Sequence, residues 1–108
     1  MFVNFAVSDN EYKLKMSVSA IMQLEKKLNF NPVLIFGLDG KRIPTVAEMV
    51  DILHASLQKY HHGITLSKAT DLFENWLDEG HTINDFLPVL VDIYRESGLI
   101  DKGQTEKN

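Results

Sequence analysis

The chain has 108 residues, of which 44% are hydrophobic and 24% are charged, and it contains no cysteine. This length and composition are typical of one globular domain with its own core and argue against a disordered chain. The lack of cysteine excludes disulfides, thiolate catalysis and cysteine-ligated zinc or iron–sulfur sites. No apolar run approaches the roughly 20 residues of a membrane span. The N-terminus lacks the pattern of an export signal, so we expect a cytoplasmic protein.

The charges are unevenly distributed along the chain. Residues 1–44 carry six basic and four acidic residues, whereas residues 45–100 carry three basic and nine acidic ones. Nucleic-acid binding relies on clustered Lys and Arg that neutralise phosphates, so the acidic second half predicts no nucleic-acid partner. Two interpretations of this half stay open: a solvated surface that keeps the protein in solution, or a face that attracts a basic partner.

The first predicted element is an N-terminal β-hairpin. Residues 1–7 are rich in aromatic and β-branched side chains, and residues 12–16 alternate between apolar and polar ones. A polar turn over residues 8–11 connects the two runs. An isolated hairpin is marginally stable in water, so this one must pack on helices or pair with another chain.

A first helix and a short apolar turn follow the hairpin. Ser17 is predicted to cap the helix, which ends near Asn29. Its predicted apolar side consists of Val18, Ile21, Met22, Leu24 and Leu28. Asn31 and Pro32 suit the start of one apolar turn over residues 33–36, and Gly37 ends it.

The clearest helix is predicted for residues 45–60 and should organise the core. Thr45 and Glu48 have the spacing of a capping box, in which each residue satisfies a backbone N–H group of the other. Apolar residues recur at helical spacing along one stripe: Val46, Met49, Val50, Leu53, Leu57 and Tyr60. Ile52 lies off this stripe, so it either packs against a second layer or belongs to a partner-binding surface.

A third helix is predicted to start at a cap on Thr65 or Ser67 and to run to about Asp78. Its apolar set consists of Leu66, Ala69, Leu72, Phe73, Trp76 and Leu77.

The start of the last helix is ambiguous. Thr82 and Asp85 have capping-box spacing, but Pro88 would then clash with the preceding turn. We therefore expect a loose first turn over residues 82–85 and a regular helix from 86 to about 96.

These elements predict an α+β fold that is mostly helical. An N-terminal β-hairpin is followed by about four helices packed as a small bundle, in one domain over residues 1–100. Residues 101–108 are polar and are predicted to form a flexible tail.

No constellation of residues indicates chemistry. His54, His61, His62 and His81 lack the spacing of zinc ligands. The paired carboxylates have the spacing of solvated helix faces, and the serines lack the context of a nucleophile. We therefore predict a protein that is not an enzyme and that has no catalytic residues, no cofactor and no metal site.

Six apolar residues exceed what one-sided helices and a short turn require. They are Leu34, Ile35 and Phe36 in the apolar turn, and Ile52, Val89 and Ile93 in the helices. They either lie between packed helices or form an exposed surface for self-association or for a partner segment. We take them as candidate partner-binding residues.

Three segments carry a family resemblance. They read Met16-Ser17…Ile21-Met22-Gln23-Leu24-Glu25, then Pro44-Thr45…Glu48…Leu53…Leu57, then Thr65-Leu66…Leu77-Asp78-Glu79-Gly80. In this order, after a short hairpin, they resemble the small tail assembly chaperones of long-tailed phages and prophages of Gram-positive bacteria. The resemblance covers about residues 3–100 and includes no catalytic motif.

This resemblance implies a non-enzymatic factor in virion assembly that acts in the host cytoplasm. Such chaperones bind the tail tape measure protein and recruit tail tube subunits while the tail polymerises, and a homo-oligomer would be compatible with that role. The family offers no fixed functional residues to transfer. The alternative is a small adaptor or regulatory protein of a mobile element that acts by protein–protein binding.

Overall fold

The computed structural model describes residues 1–102, which contain a two-stranded antiparallel hairpin followed by four α-helices. The elements are β1 (Val3–Val7), β2 (Asn10–Leu14), α1 (Val18–Leu28), a 3₁₀ turn (Pro32–Phe36), α2 (Val46–Leu57), α3 (Leu66–Asp78) and α4 (Ile83–Glu96). This confirms the predicted fold class. Most of the predicted tail, residues 103–108, lies outside the described residues.

The hairpin closes through a tighter turn than predicted. Val7 pairs with Asn10, so only Ser8 and Asp9 connect the strands. Both residues have positive φ, 54° and 62°, as in a type I′ turn, whose twist matches that of the flanking strands. The hairpin buries Phe5, Val7 and Leu14 against the helices, as the alternation predicts.

Side chains and backbone from α2 and the α2–α3 connection hold β2 in place. The Lys13 N–H donates to His61 Nε2 over 2.8 Å, and the Lys15 N–H donates to the Ser56 carbonyl over 2.9 Å. Burial lowers the pKa of His61, which favours the neutral ring that can accept this hydrogen bond.

Helix α2 is the centre of the fold, as predicted. Its capping box between Thr45 and Glu48 is present, and it packs against α1, α3, α4 and β2. The buried residues surround the helix rather than forming a single stripe: Met49, Val50, Ile52, Leu53, Ala55, Ser56 and Leu57. The two predicted stripe ends, Val46 and Tyr60, are exposed, because the helix stops at Leu57 and its first turn faces solvent.

The buried side of α1 differs from the predicted one. Val18 and Met22 are 73% and 55% exposed, whereas Ala20 and Leu24 are buried. Helix α1 packs mainly on one face, against α2 and the 3₁₀ turn. The small Ala20 lies on that face, beside a groove between α1 and α2.

The prediction of a loose first turn in α4 is wrong. The helix is regular from Ile83, and Thr82 and Asp85 form a complete capping box. Pro88 lies inside the helix, where it cannot donate to the carbonyl of Asn84. Both residues are exposed, so water can satisfy that carbonyl and the proline is tolerated.

The chain folds back at the C-terminal end of α4. Gly98 has a φ of 84°, and the N–H groups of Gly98 and Leu99 donate to the carbonyls of Arg95 and Tyr94. This Schellman arrangement satisfies carbonyls at the helix end. Leu99 and Ile100 are half-buried against the core.

Four aromatic rings form the centre of the contact between hairpin and helices. Phe86 lies edge-on to the other three rings, and its centroid is 5.1 Å from that of Phe73, 5.8 Å from that of Trp76 and 6.2 Å from that of Phe5. Such edge-to-face pairs add to the stabilisation from burial. None of the helices within residues 1–102 has the length and apolar character needed to cross a membrane.

Candidate partner-binding surface

Large exposed apolar side chains concentrate between the 3₁₀ turn and the first turn of α2. We call residues 33–46 the apolar segment. Its exposed members are Val33 (43%), Leu34 (37%), Leu38 (93%), Ile43 (70%) and Val46 (44%). Single exposed apolar residues are ordinary on a protein surface, whereas a local concentration of them is typical of an interaction site.

The start of the apolar segment is anchored in the core. The Asn31 side chain accepts a hydrogen bond from the Val33 N–H over 3.0 Å, and Pro32 is buried. The Tyr94 hydroxyl donates to the Pro32 carbonyl over 2.7 Å in a buried setting. Burial raises the pKa of Tyr94, so the phenol stays protonated and remains a donor.

Arg42 holds the end of the segment. Its Nη1 donates to the Ile35 carbonyl over 2.9 Å and to Glu48 Oε1 over 2.8 Å, while Nη2 donates to Glu48 Oε2 over 2.7 Å. The guanidinium also lies over the Phe30 ring, 5.3 Å from its centroid. A bidentate pair of this kind fixes orientation as well as charge.

Gly37 allows the segment to turn back on itself. The Arg42 N–H donates to the Phe36 carbonyl over 2.7 Å, which closes a small loop with Leu38 in it. Gly37 has a φ of 80°, and a Cβ there would lie 3.1 Å from the Arg42 Cβ. Any other residue at position 37 would therefore strain the loop.

Glu48 connects the apolar segment to the N-terminus of α2. Besides Arg42, its carboxylate accepts the Thr45 N–H over 3.0 Å. The hydrogen bond from Arg42 is the largest of the effects that lower the pKa of Glu48 below its ordinary 4.5. The carboxylate is thus stabilised in its charged form, and the apolar side chains are presented by a preorganised backbone.

Glu48 should make stability depend on pH. Because its pKa is lowered in the folded state, its contribution is complete above the ordinary value of 4.5 and is lost as the pH falls below 4.5. We expect Glu48→Gln to lower the melting temperature at pH 7 and to flatten its decline below pH 4.5. Thermal denaturation between pH 7 and pH 3 measures this. Glu74→Gln, an exposed carboxylate on α3, is the control, and equal slopes for the two variants would contradict the prediction.

The structure divides the six predicted partner-binding residues. Leu34 and Phe36 lie in the apolar segment, exposed and half-buried respectively, and Val89 is half-buried on α4. They remain candidates.

The other three predicted residues, Ile35, Ile52 and Ile93, have no exposed side-chain surface. Their assignment to a partner-binding surface is wrong in this fold. Ile35 is a buried residue of the 3₁₀ turn. Ile52 occupies a side of α2 that other elements cover, and Ile93 follows Phe86 and Leu90 along the buried face of α4. For these three residues the other interpretation of the excess apolar residues is correct: they lie between packed elements.

Two of the most exposed members of the segment, Leu38 and Ile43, were not among the predicted residues. A local signal for Leu38 exists: it lies between Gly37 and the Asp39-Gly40 turn. An apolar residue at the tip of a turn has few neighbours to pack against, so its exposure could have been inferred. Ile43 carries no comparable signal.

A groove of about 200 Å³ runs between α1 and α2. Its walls include Ala20, Leu24 and Ala55, and Asp51 lies in it 3.9 Å from Lys27 Nζ. Burial raises the pKa of Asp51. The groove is smaller than the roughly 300–1,000 Å³ of most small-molecule sites. Across residues 1–102, no three His, Asp or Glu side chains come together in a way that could hold a metal ion.

Comparison with known proteins places the chain in a family. The model of DUF6096, a family of unknown function, matches residues 3–108. The chain belongs to DUF6096. No curated protein and no solved structure matches it. The region matched to DUF6096 includes the hairpin, all four helices and the apolar segment, so the candidate surface lies within the part that defines the family.

Proposed function

We propose that this DUF6096 protein is a non-enzymatic tail assembly chaperone of a phage or prophage. It would bind the tape measure protein and tail tube subunits in the host cytoplasm during virion assembly. The resemblance of three helical segments to such chaperones supports this role, and the observation that carries it is the exposed apolar segment.

The way the segment is held supports protein binding. Five exposed apolar side chains lie within 14 residues of chain, yet their backbone is fixed by Arg42, Glu48 and Tyr94. A preorganised surface loses less conformational entropy on binding than a flexible one. Burial of Leu38, Ile43 and their neighbours by a partner would provide the driving force.

The acidic second half of the chain gives the partner a chemical character. Residues 45–100 carry nine acidic and three basic residues, and they form α2, α3 and α4. A partner with basic residues around an apolar contact would be attracted to this half, and the attraction would increase the association rate. The proposal therefore expects binding to weaken as the salt concentration rises.

Co-expression with the tape measure and tail tube proteins of the same gene cluster tests the proposal. The wild-type chain should co-purify with at least one of them. Leu38→Asp should reduce that binding by roughly tenfold or more, because it places a charge at the most exposed apolar position of the segment. Isothermal titration calorimetry would quantify the loss.

Val18→Asp is the matched control. Val18 is 73% exposed, lies at the start of α1 outside the apolar segment, and accepts an acidic residue in the first helical turn without penalty. It should bind as the wild type does. If the wild-type chain binds neither tail protein, the chaperone proposal is wrong and the adaptor alternative takes its place. Equal loss in both variants would remove the segment from the interface.

A further inference from the structure

The outer edge of β1 carries backbone groups that the hairpin does not use. The Lys13 N–H donates to His61 outside the strand ladder, so Lys13 and its partner Asn4 form a non-hydrogen-bonded pair. Because such pairs alternate along an antiparallel ladder, Ala6 and Glu11 form the next one. The N–H and C=O groups of Asn4 and Ala6 therefore point away from β2.

The two edges of the hairpin differ in how they are covered. On the β2 side, Lys13 and Lys15 donate to His61 and Ser56. On the β1 side, Asn4 and Ala6 are exposed, and their outward groups make no hydrogen bond within residues 1–102. Natural proteins protect such edges with charged side chains, proline or bulges. The β1 sequence, VNFAV, contains no charge or proline, and its register is continuous.

The free groups of β1 are complementary to those of a second β1. In an antiparallel pair centred on Phe5, Asn4 of each copy faces Ala6 of the other, and every outward group of both residues is used. A pair centred on Ala6 would instead require Ser8, whose N–H already donates to Glu79 over 2.8 Å and whose φ is 54°. Of these two registers, the Phe5-centred one satisfies the free groups of Asn4 and Ala6 without disturbing the turn.

Charges on the exposed face favour the same antiparallel orientation. Lys13 lies beside Asn4 and Glu11 lies beside Ala6 on the neighbouring strand, and both are exposed. In the Phe5-centred pair, Lys13 of one copy and Glu11 of the other lie in the same row across the four strands. The two-fold symmetry of the pair produces two such rows. A parallel pair would instead put like charges in each row. Because the charges are about 14 Å apart, three strand spacings, this preference is small and screened by salt.

We propose that two copies of this chain associate through their β1 edges, forming a four-stranded sheet in the order β2-β1-β1-β2. The association is independent of the proposed function. It uses β1 rather than the apolar segment, and it needs no partner other than a second copy of this chain. A five-residue edge buries less than the roughly 1,200 Å² of a stable interface. The sheet therefore forms in a concentration-dependent equilibrium.

Sedimentation velocity from about 10 μM to about 1 mM tests the association, the upper range being where a weak interface becomes populated. Ala6→Pro removes one outward donor and no hydrogen bond of the hairpin, so the monomer should fold. It should weaken dimerisation at least about tenfold, because each dimer loses two hydrogen bonds. Glu11→Pro is the matched control: it removes the corresponding outward donor of β2, the direct partner of Ala6, but no hydrogen bond of the interface. It should therefore weaken dimerisation far less than Ala6→Pro, and an equal effect of the two variants would contradict the proposal.

Disulfide trapping tests the register without proline. The chain has no cysteine, so Asn4→Cys and Ala6→Cys each carry a single thiol. Their Cα atoms would lie about 5.5 Å apart across the interface, within the range for a disulfide. Oxidation of the two variants mixed should yield more cross-linked dimer than oxidation of either alone. A wild-type chain that stays monomeric at about 1 mM, or equal cross-linking in mixed and separate samples, would overturn the proposal.

Discussion

Phe86→Ala should destabilise the protein by about 3–5 kcal/mol, the cost of removing a fully buried aromatic side chain and leaving a cavity. Phe86 has no exposed surface and lies edge-on to Phe73, Trp76 and Phe5. Its loss would weaken the contacts of α4 with both α3 and the hairpin. For a domain of this size, the melting temperature should fall by roughly 15–25 °C.

Thermal and urea denaturation measure this effect. Phe86→Leu is the control, since it keeps the position apolar and should cost roughly 1–2 kcal/mol, less than the alanine variant. Leu66→Ala, at a position that is 36% exposed, should cost less still. If Phe86→Ala changed the free energy of unfolding by less than about 1 kcal/mol, the ring cluster would not be the centre of the core.

Ile35→Ala should have the second-largest effect, about 2–4 kcal/mol. Ile35 has no exposed surface. It is part of the 3₁₀ turn, and its carbonyl accepts a hydrogen bond from Arg42 Nη1. The variant would leave a cavity at the point where the apolar segment is attached to the core. We therefore expect a loss of stability and faster amide hydrogen exchange along residues 33–46.

Leu34→Ala is a closely matched control, because it is the neighbouring residue and loses as many carbon atoms. Leu34 is 37% exposed, so its removal should cost about 1 kcal/mol or less. Urea denaturation of the two variants side by side measures their free energies of unfolding. A difference between them reflects the burial of the side chain, because both variants lose the same number of carbon atoms. Equal destabilisation would mean that Ile35 is not the anchor of the segment.

Together these variants separate the stability of the fold from the presentation of its surface. Phe86 lies in the core between hairpin and helices, whereas Ile35 connects that core to the apolar segment. A partner-binding variant such as Leu38→Asp should leave the melting temperature nearly unchanged, because Leu38 is 93% exposed. Loss of binding with retained stability would identify the segment as an interaction site rather than a structural element.

The capping residues of the helices could be recognised in the sequence because their signals are local, although the regular part of α4 was wrongly predicted to begin at residue 86. Ser17, Thr45, Thr65 and Thr82 each accept a hydrogen bond from a backbone N–H three residues further along the chain. Such a bond depends on residue type and spacing within one turn, not on the rest of the fold. The hairpin followed the same rule, since strand alternation and polar turn residues are also local.

The sequence by itself therefore determined the elements, their order and the α+β class of this protein. Only the tertiary structure decided which surplus apolar residues are buried: Ile52 lies inside because α2 has neighbours on several sides, whereas Val18 lies outside because α1 packs on one face. It also decided that Pro88 could lie within α4, because Pro88 and Asn84, whose carbonyl it leaves unbonded, are both exposed residues. Periodicity shows that a residue is apolar and on a given side of its helix. Burial depends on which other elements reach that side, and those contacts form between residues far apart in the chain.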